Sequence, residues 1–73
     1  AGDMVQVGSR VTVEEGGDEM VFTLVGAKEA SPREGKISNE SPVGKALLGK
    51  RIGEVAEANT PAGKTSYKVI KIE

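Results

Sequence analysis

The sequence predicts an α+β domain in which four to five strands, mostly antiparallel, form a twisted sheet with one short α-helix packed on it. Apolar residues alternate with polar ones at Val5 and Val7 and again at Val11 and Val13, the period of two that is typical of half-buried strands. One segment, 41–49, instead carries residues that begin and end a helix. The chain has 73 residues and is expected to form a single domain, which buries only about 60% of the surface that its unfolded form exposes.

The first two strands are predicted to form a hairpin. Gly8-Ser9 interrupts the early alternation, so the first strand is Arg10–Glu15. Gly16-Gly17-Asp18 has the composition of a turn, and Met20–Val25 returns with residues that favour strands. Two such runs joined by a short glycine-rich turn indicate a β-hairpin.

The centre and the end of the chain contain the remaining strands. Gly26–Glu34 has no periodicity and is expected to be a loop or one irregular turn, followed by a short strand at Lys36–Asn39. Glu54–Thr60 and Lys64–Glu73 are predicted to form the last hairpin. Their connection, Thr60-Pro61-Ala62-Gly63, has proline at its second position and glycine at its fourth, which is typical of a type I turn.

Residues on both sides mark the boundaries of the helix. Ser41 is a favourable N-cap because its hydroxyl can accept a hydrogen bond from an unpaired amide of the first turn. Pro42 suits the first helical position, where the missing N–H costs nothing. Gly49 suits the left-handed residue that ends a helix, and Lys50 and Arg51 follow near the negative end of the helix dipole.

One face of this helix is apolar. Val43, Ala46 and Leu47 have the spacing that places side chains on one side of a helix, whereas Leu48 points elsewhere. A helix of about two turns is not stable alone in water. We therefore expect it to pack against the sheet.

The last strand changes the phase of its alternation. Tyr67 and Val69 share one parity, and Ile70 and Ile72 share the other. A β-bulge near Val69-Ile70 would insert one residue and direct all four side chains toward one core.

Composition argues against several classes of protein. The chain contains no cysteine, and we expect a cytoplasmic location. No apolar run approaches the roughly 20 residues that cross a bilayer, so no membrane contact is expected. The formal net charge of −1 gives no overall attraction to nucleic acid.

The charge is unevenly distributed, since the first hairpin is acidic and the remainder mildly basic. This is either ordinary surface patterning or the mark of a charged protein partner.

Catalysis and metal binding have little support in the sequence. The chain lacks histidine and cysteine, so acid–base chemistry would fall to carboxylates, lysines or Tyr67. Glu14-Glu15 and Asp18-Glu19 flank the first turn, where they form either a hard-metal site or, as we favour, a solvated acidic hairpin tip. We expect no cofactor and no catalytic residue.

Direct binding of nucleic acid is not expected either. Lys45, Lys50 and Arg51 could contact phosphate groups. The chain has only two aromatic residues, Phe22 and Tyr67, so single-stranded nucleic acid would lack a platform on which its bases could stack.

The start of the helix has two interpretations. Every residue of Glu40-Ser41-Pro42-Val43 has a capping role, and from the residues alone a well-built cap is the simpler account. The same residues form a rigid, partly apolar corner that could contact a protein partner. Leu48 favours that second interpretation, because it could leave apolar surface available nearby.

The same region resembles the bacterial Gre transcription elongation factors. The stretches that carry the resemblance are Gly35-Lys36-Ile37-Ser38, the helix from Ser41-Pro42 to Gly49-Lys50, and Gly53-Glu54-Val55. Val7–Val25 and Thr60-Pro61-Ala62-Gly63 resemble the opening and closing hairpins of the family. The resemblance therefore covers nearly the whole chain in order.

The resemblance implies the C-terminal domain of such a factor, with an FKBP-like fold that docks on RNA polymerase at a coiled coil on the rim of the secondary channel. In the family, cleavage of backtracked RNA is stimulated by an N-terminal coiled coil with an acidic tip. This sequence has no counterpart of that tip. The role of the carboxylates that stimulate cleavage is therefore assigned to no residue here. We expect a monomer. The residues assigned to docking are Glu40, Ser41, Pro42 and Val43, flanked by Lys45, Leu48, Lys50 and Arg51.

Several other functions stay open at this point. A Gre-like paralogue that inhibits polymerase, or a related regulator of nucleoside diphosphate kinase, would have a similar C-terminal domain. An FKBP-type prolyl isomerase would need a pocket lined by several aromatic side chains. A binding domain with a different partner is a further alternative.

Ala1-Gly2-Asp3 is interpreted as an added remnant or a cut point, and the chain as a fragment of a longer protein that carries the coiled coil.

Overall fold

A computed structural model describes residues 3–73, so Ala1 and Gly2, with the question of their origin, lie outside the described residues. The α+β class and the predicted strands are confirmed, with ends that differ from the predicted ones by one or two residues. The elements are β1 (Arg10–Glu15), β2 (Asp18–Val25), β3 (Lys36–Ser38), α1 (Pro42–Leu47), β4 (Val55–Thr60) and β5 (Gly63–Ile72).

The strands form one sheet in the order β3-β2-β1-β5-β4. The β1–β2, β1–β5 and β4–β5 pairs are antiparallel, whereas β2 and β3 are parallel. A parallel pair requires a crossover connection, and residues 26–35 provide it. This connection contains two short 3-10 helices, at Ala27–Glu29 and Pro32–Glu34, where the sequence predicts a loop or one irregular turn.

The β1–β2 hairpin closes through Gly16 and Gly17, which have φ angles of 58° and 90°. Positive φ at both central residues gives a tight turn whose twist matches that of the flanking strands. Glycine adopts this conformation without steric cost, and Glu15 then pairs directly with Asp18.

The predicted bulge is present in β5. The register of β5 against β1 shifts at one point, where Ile70 is the extra residue. Tyr67, Val69 and Ile72 are all buried, so the bulge brings both phases of the strand onto one face. Ile70 itself is half-buried and lies outside the core cluster, which corrects the prediction for one of the four side chains.

The core lies between the sheet and α1. Leu47 is completely buried, with 0% of its surface exposed, and α1 packs on β4, where the small residues Ala56 and Ala58 are also buried. Val43 and Ala46 pack against the core, as the helical spacing predicts. In the part of the chain that the structure describes, no helix has the length and apolarity needed to cross a membrane. The buried apolar residues are Val5, Val11, Val13, Leu24, Leu47, Ala56, Ala58, Tyr67, Val69 and Ile72.

The residues before β1 are bound to the segment that follows α1. Val5 donates its N–H to the Lys50 carbonyl oxygen at 2.8 Å and accepts a hydrogen bond from the Gly49 N–H at 2.9 Å. Gly49 has a φ of 86°, which confirms its predicted left-handed conformation. Val5 is buried but Val7 is 52% exposed, so the early alternation predicts burial correctly only for Val5.

Candidate docking surface

α1 begins at a closely bonded corner. The Ser41 hydroxyl accepts a hydrogen bond from the Gly44 N–H at 3.0 Å, which confirms the predicted N-cap, and donates one to the Ser38 carbonyl oxygen at 2.7 Å. The Ser41 N–H donates to the same carbonyl oxygen at 3.0 Å. The Ser38 hydroxyl accepts a hydrogen bond from the Glu40 N–H at 2.9 Å. These bonds fix the path of the backbone into the helix.

Gly44 is buried where the first turn of α1 passes the end of β3. A Cβ at this position would overlap the Ser38 carbonyl oxygen and lie 2.9 Å from the carbonyl carbon. Glycine therefore permits a close approach between two backbones. The sequence contains no separate signal for this contact, because a glycine inside a helix has several explanations.

The residues of the helix corner, which we define as Glu40, Ser41, Pro42 and Val43, differ in exposure. Glu40 and Pro42 are exposed, whereas Ser41 and Val43 are half-buried. Val43 packs against the core cluster. The accessible surface of the corner is therefore supplied by Glu40 and Pro42, and the other two residues support it.

The four flanking residues lie in two different places. Lys45 is exposed on α1 beside the corner. Leu48, which is 44% exposed, lies past the last turn of α1, and the half-buried Lys50 follows it. The Arg51 guanidinium pairs with the Asp3 carboxylate at 3.2 Å, and this exposed pair contributes at most about 1 kcal/mol to stability.

An open concavity of about 410 Å³ lies between the helix corner and β4. It includes two residues from β4, Glu57 and Asn59, that sequence reasoning missed. They occupy the exposed positions of an alternating strand, where charged and polar residues are ordinary, so no local signal marks them. The lining residues are Glu40, Pro42, Lys45, Ala46, Glu57 and Asn59.

The charged groups of this concavity are available to a partner. Glu40, Lys45 and Glu57 are all exposed. Within residues 3–73, no ion pair of 4.0 Å or less involves any of the three. The concavity therefore presents two carboxylates and one ammonium group, each exposed and without an ion pair to the described side chains.

The sequence left open a metal site at the acidic hairpin tip and a pocket lined by aromatic side chains. Among residues 3–73, no group of three or more His, Cys, Asp or Glu side chains lies together as a metal site would require. Phe22 and Tyr67 pack edge to face with their ring centroids 5.8 Å apart, and neither lines the concavity. Burial, with a smaller contribution from the Glu15 carboxylate, raises the pKa of Tyr67 above its usual 10.0.

The sheet order and the short proline-led helix define an α+β domain with a five-stranded mixed sheet. The family described as "Transcription elongation factor, GreA/GreB, C-term" matches residues 1–73. The chain belongs to this family of GreA/GreB C-terminal domains, which confirms the resemblance found in the sequence.

Individual relatives agree with the family match. Transcription elongation factor GreA of Thermomicrobium roseum is 50% identical over 70 residues, which are 96% of this chain and 45% of that protein. GreA of Clostridium acetobutylicum is 49% identical over 73 residues, or 97% of this chain and 46% of the relative. The crystal structure of GreA factor homolog 1 (Gfh1) of Thermus thermophilus has a TM-score of 0.86 at 38% identity, covering 100% of this chain and 50% of that one. The chain thus spans about half the length of the curated relatives it matches.

Proposed function

We propose that this chain is the C-terminal docking domain of a Gre-type elongation factor. It binds RNA polymerase at the coiled coil on the rim of the secondary channel. It thereby anchors a coiled coil of its parent protein, which enters the channel and rescues backtracked complexes. Anchoring raises the effective concentration of that coiled coil at the channel without a further contact. The domain acts in the cytoplasm as a monomer. The family match and the share of each relative that the chain covers support this proposal.

The observation that carries the proposal is an exposed proline on a rigid corner. Pro42 is exposed, while the residues before it are held by hydrogen bonds to Ser38 and Val43 after it packs against the core. A surface that is already ordered loses little conformational entropy when a partner binds. Pro42 is therefore suited to act as a contact residue, with Glu40 beside it.

The proposal includes no catalytic step for this domain. The chain contains neither histidine nor cysteine, and its two aromatic residues pack with each other instead of lining the concavity. An FKBP-type isomerase site has no support in this arrangement.

The test compares Pro42→Ala with Pro61→Ala in the binding of this chain to bacterial core RNA polymerase. Pro42→Ala is expected to raise the Kd about tenfold, the effect of losing a central contact residue. It should lower the free energy of unfolding by only about 0.4–1 kcal/mol, because the unfolded chain gains freedom. Pro61 is an exposed proline in the β4–β5 turn, so Pro61→Ala controls for the loss of a proline and should leave the Kd unchanged.

A Pro42→Ala protein that binds as tightly as the unchanged chain would contradict the proposal, as would equal weakening by both substitutions. Val43→Asp would be a less selective variant than Pro42→Ala. Because Val43 packs against the core, burying a carboxylate there is expected to lower both stability and binding.

A second candidate for the parent protein is a Gre-like paralogue that inhibits polymerase. The chain is similar over its whole length to GreA factor homolog 1, as well as to GreA. Both candidates use the domain for docking, so the proline comparison does not separate them. A transcript-cleavage assay with the full-length parent does, because a Gre factor would accelerate cleavage and an inhibitory paralogue would slow it.

A further inference from the structure

We infer that the docking surface extends from the helix corner across the concavity to β4, and that it accepts a partner helix with two basic side chains and one acidic side chain. This inference rests on the proposed function and adds the charge pattern of the partner. It also assigns contact roles to Glu57 and Asn59, two residues outside the segment that resembles the family's helix motif.

The charge pattern of the partner follows from the three unpaired charges. Glu40 and Glu57 line the concavity together with Lys45, and none of them is neutralised by an ion pair within the described residues. A partner with a complementary potential carries a basic group opposite each carboxylate and an acidic group opposite the ammonium. Such a pattern sets the orientation of the partner as well as its affinity.

The apolar part of the concavity fits the stems of long basic side chains. Pro42 and Ala46 line it without polar side-chain groups. Arginine and lysine bury their methylene groups along apolar surface while their charged ends stay near water or a carboxylate. A basic side chain can therefore lie over Pro42 and reach Glu40 or Glu57.

The backbone of β4 supplies further hydrogen-bonding groups. The β4–β5 hairpin has a two-residue loop between Thr60 and Gly63, so Thr60, Ala58 and Ala56 are the positions whose backbone groups bond to β5. The intervening Glu57 and Asn59 direct their N–H and C=O groups toward the free edge of the strand. Both residues line the concavity, where these groups can bind polar side chains of a partner.

The occupant is a helix because the proposed partner is the coiled coil on the rim of the secondary channel. α1 packs on β4, and the concavity between these two elements is open. Side chains that project from a helix need only the open concavity between the two elements.

The test measures binding of three single variants of this chain, Glu40→Lys, Glu57→Lys and Lys45→Glu, to bacterial core RNA polymerase. Each should raise the Kd about three- to tenfold, the range for the reversal of one exposed interfacial charge. The differences should shrink as salt is added, because exposed charges are screened. Glu19→Lys makes the same charge change on the distant first hairpin and should leave the Kd unchanged. Thermal melting checks that each variant is folded.

The outcomes separate the inference from the proposed function. If Pro42→Ala weakens binding and Glu57→Lys does not, the extension to β4 is wrong and the docking role of the corner stands. If Lys45→Glu strengthens binding, the partner surface is uniformly basic and the inferred pattern is wrong. If the unchanged chain does not bind polymerase, the proposed function fails and the inference fails with it.

Discussion

At the scale of single residues, the helix corner combines exposed residues with neighbours that support them from within the fold. The Ser41 hydroxyl accepts a hydrogen bond from the Gly44 N–H and donates one to the Ser38 carbonyl oxygen. Pro42 is exposed, and its ring suits the first helical position, where no N–H is needed. A residue can therefore start the helix and still offer its side chain to a partner, provided that its neighbour supplies the cap.

Gly44→Ala is expected to lower the free energy of unfolding by about 1–3 kcal/mol, as for other overpacked positions. Alanine favours helices over glycine by about 1 kcal/mol, but here its Cβ would overlap the Ser38 carbonyl oxygen. That oxygen accepts two hydrogen bonds from Ser41 and has little freedom to move. Urea unfolding measures the change.

Gly26→Ala is the matched control for this substitution. Gly26 has a φ of −71°, which alanine adopts freely, and the nearest atom to its Cβ would be a Glu29 carboxylate oxygen at 3.8 Å. We expect no loss of stability there. A Gly44→Ala protein at least as stable as the unchanged chain would show that the two backbones are not in close contact.

At the scale of elements, β5 combines two periodicities by means of one inserted residue. Ile70 is the insertion, and it allows Val69 and Ile72 to face the same core although they are three positions apart. Tyr67 on the same strand packs against Phe22 of β2. β5 therefore contributes side chains to the core and also pairs with β4, the strand at the edge of the sheet.

The burial of Tyr67 in β5 predicts a loss of stability at alkaline pH. Burial raises the pKa of its hydroxyl above 10.0, and the Glu15 carboxylate adds to this effect. The unfolded chain releases this proton near pH 10, whereas the folded chain retains it to higher pH. The unfolded state then binds fewer protons, so the contribution of Tyr67 is complete below about pH 10 and is lost as the pH rises further.

Tyr67→Phe should remove this contribution. Chemical unfolding at several pH values between about 8 and 11 should show a smaller alkaline loss of stability in the variant than in the unchanged chain. All other titratable groups are the same in both proteins, so the difference between the two curves isolates Tyr67. Parallel curves would contradict the prediction.

At the scale of the whole molecule, stability depends on a small core. A domain of 73 residues has a free energy of unfolding of roughly 4–11 kcal/mol. The core consists largely of valine and alanine side chains, and Leu24 and Leu47 are its largest fully buried members. α1 contributes Leu47 to this core from outside the sheet, so loss of that side chain affects both the helix and β4.

Leu47→Ala is expected to lower the free energy of unfolding by about 2–5 kcal/mol, a large part of the total. Its neighbour provides the control, because Leu48 is 44% exposed and Leu48→Ala should change stability by less than about 0.5 kcal/mol. Thermal melting followed by circular dichroism measures both. Similar melting temperatures for the two variants would mean that α1 does not hold the core as described.

The positions of the strands, the turns and the helix ends could be predicted from the sequence because each depends on residues that are close together in the chain. Ser41-Pro42 begins a helix, Gly16-Gly17 closes a hairpin and the change of phase in β5 requires a bulge, whatever lies opposite. The exposure of Leu48 follows in the same way from its position relative to Leu47. The family resemblance also depends on contiguous residues.

The arrangement of the candidate site was decided by the tertiary structure. The parallel pairing of β2 with β3, and the approach of Glu57 and Asn59 to Pro42, join residues that are distant in the sequence. Hydrophobic periodicity shows which side of a strand is buried but not which element covers it. That choice depends on the order of the strands in the sheet and on how closely α1 can pack on β4, and both are properties of the assembled core.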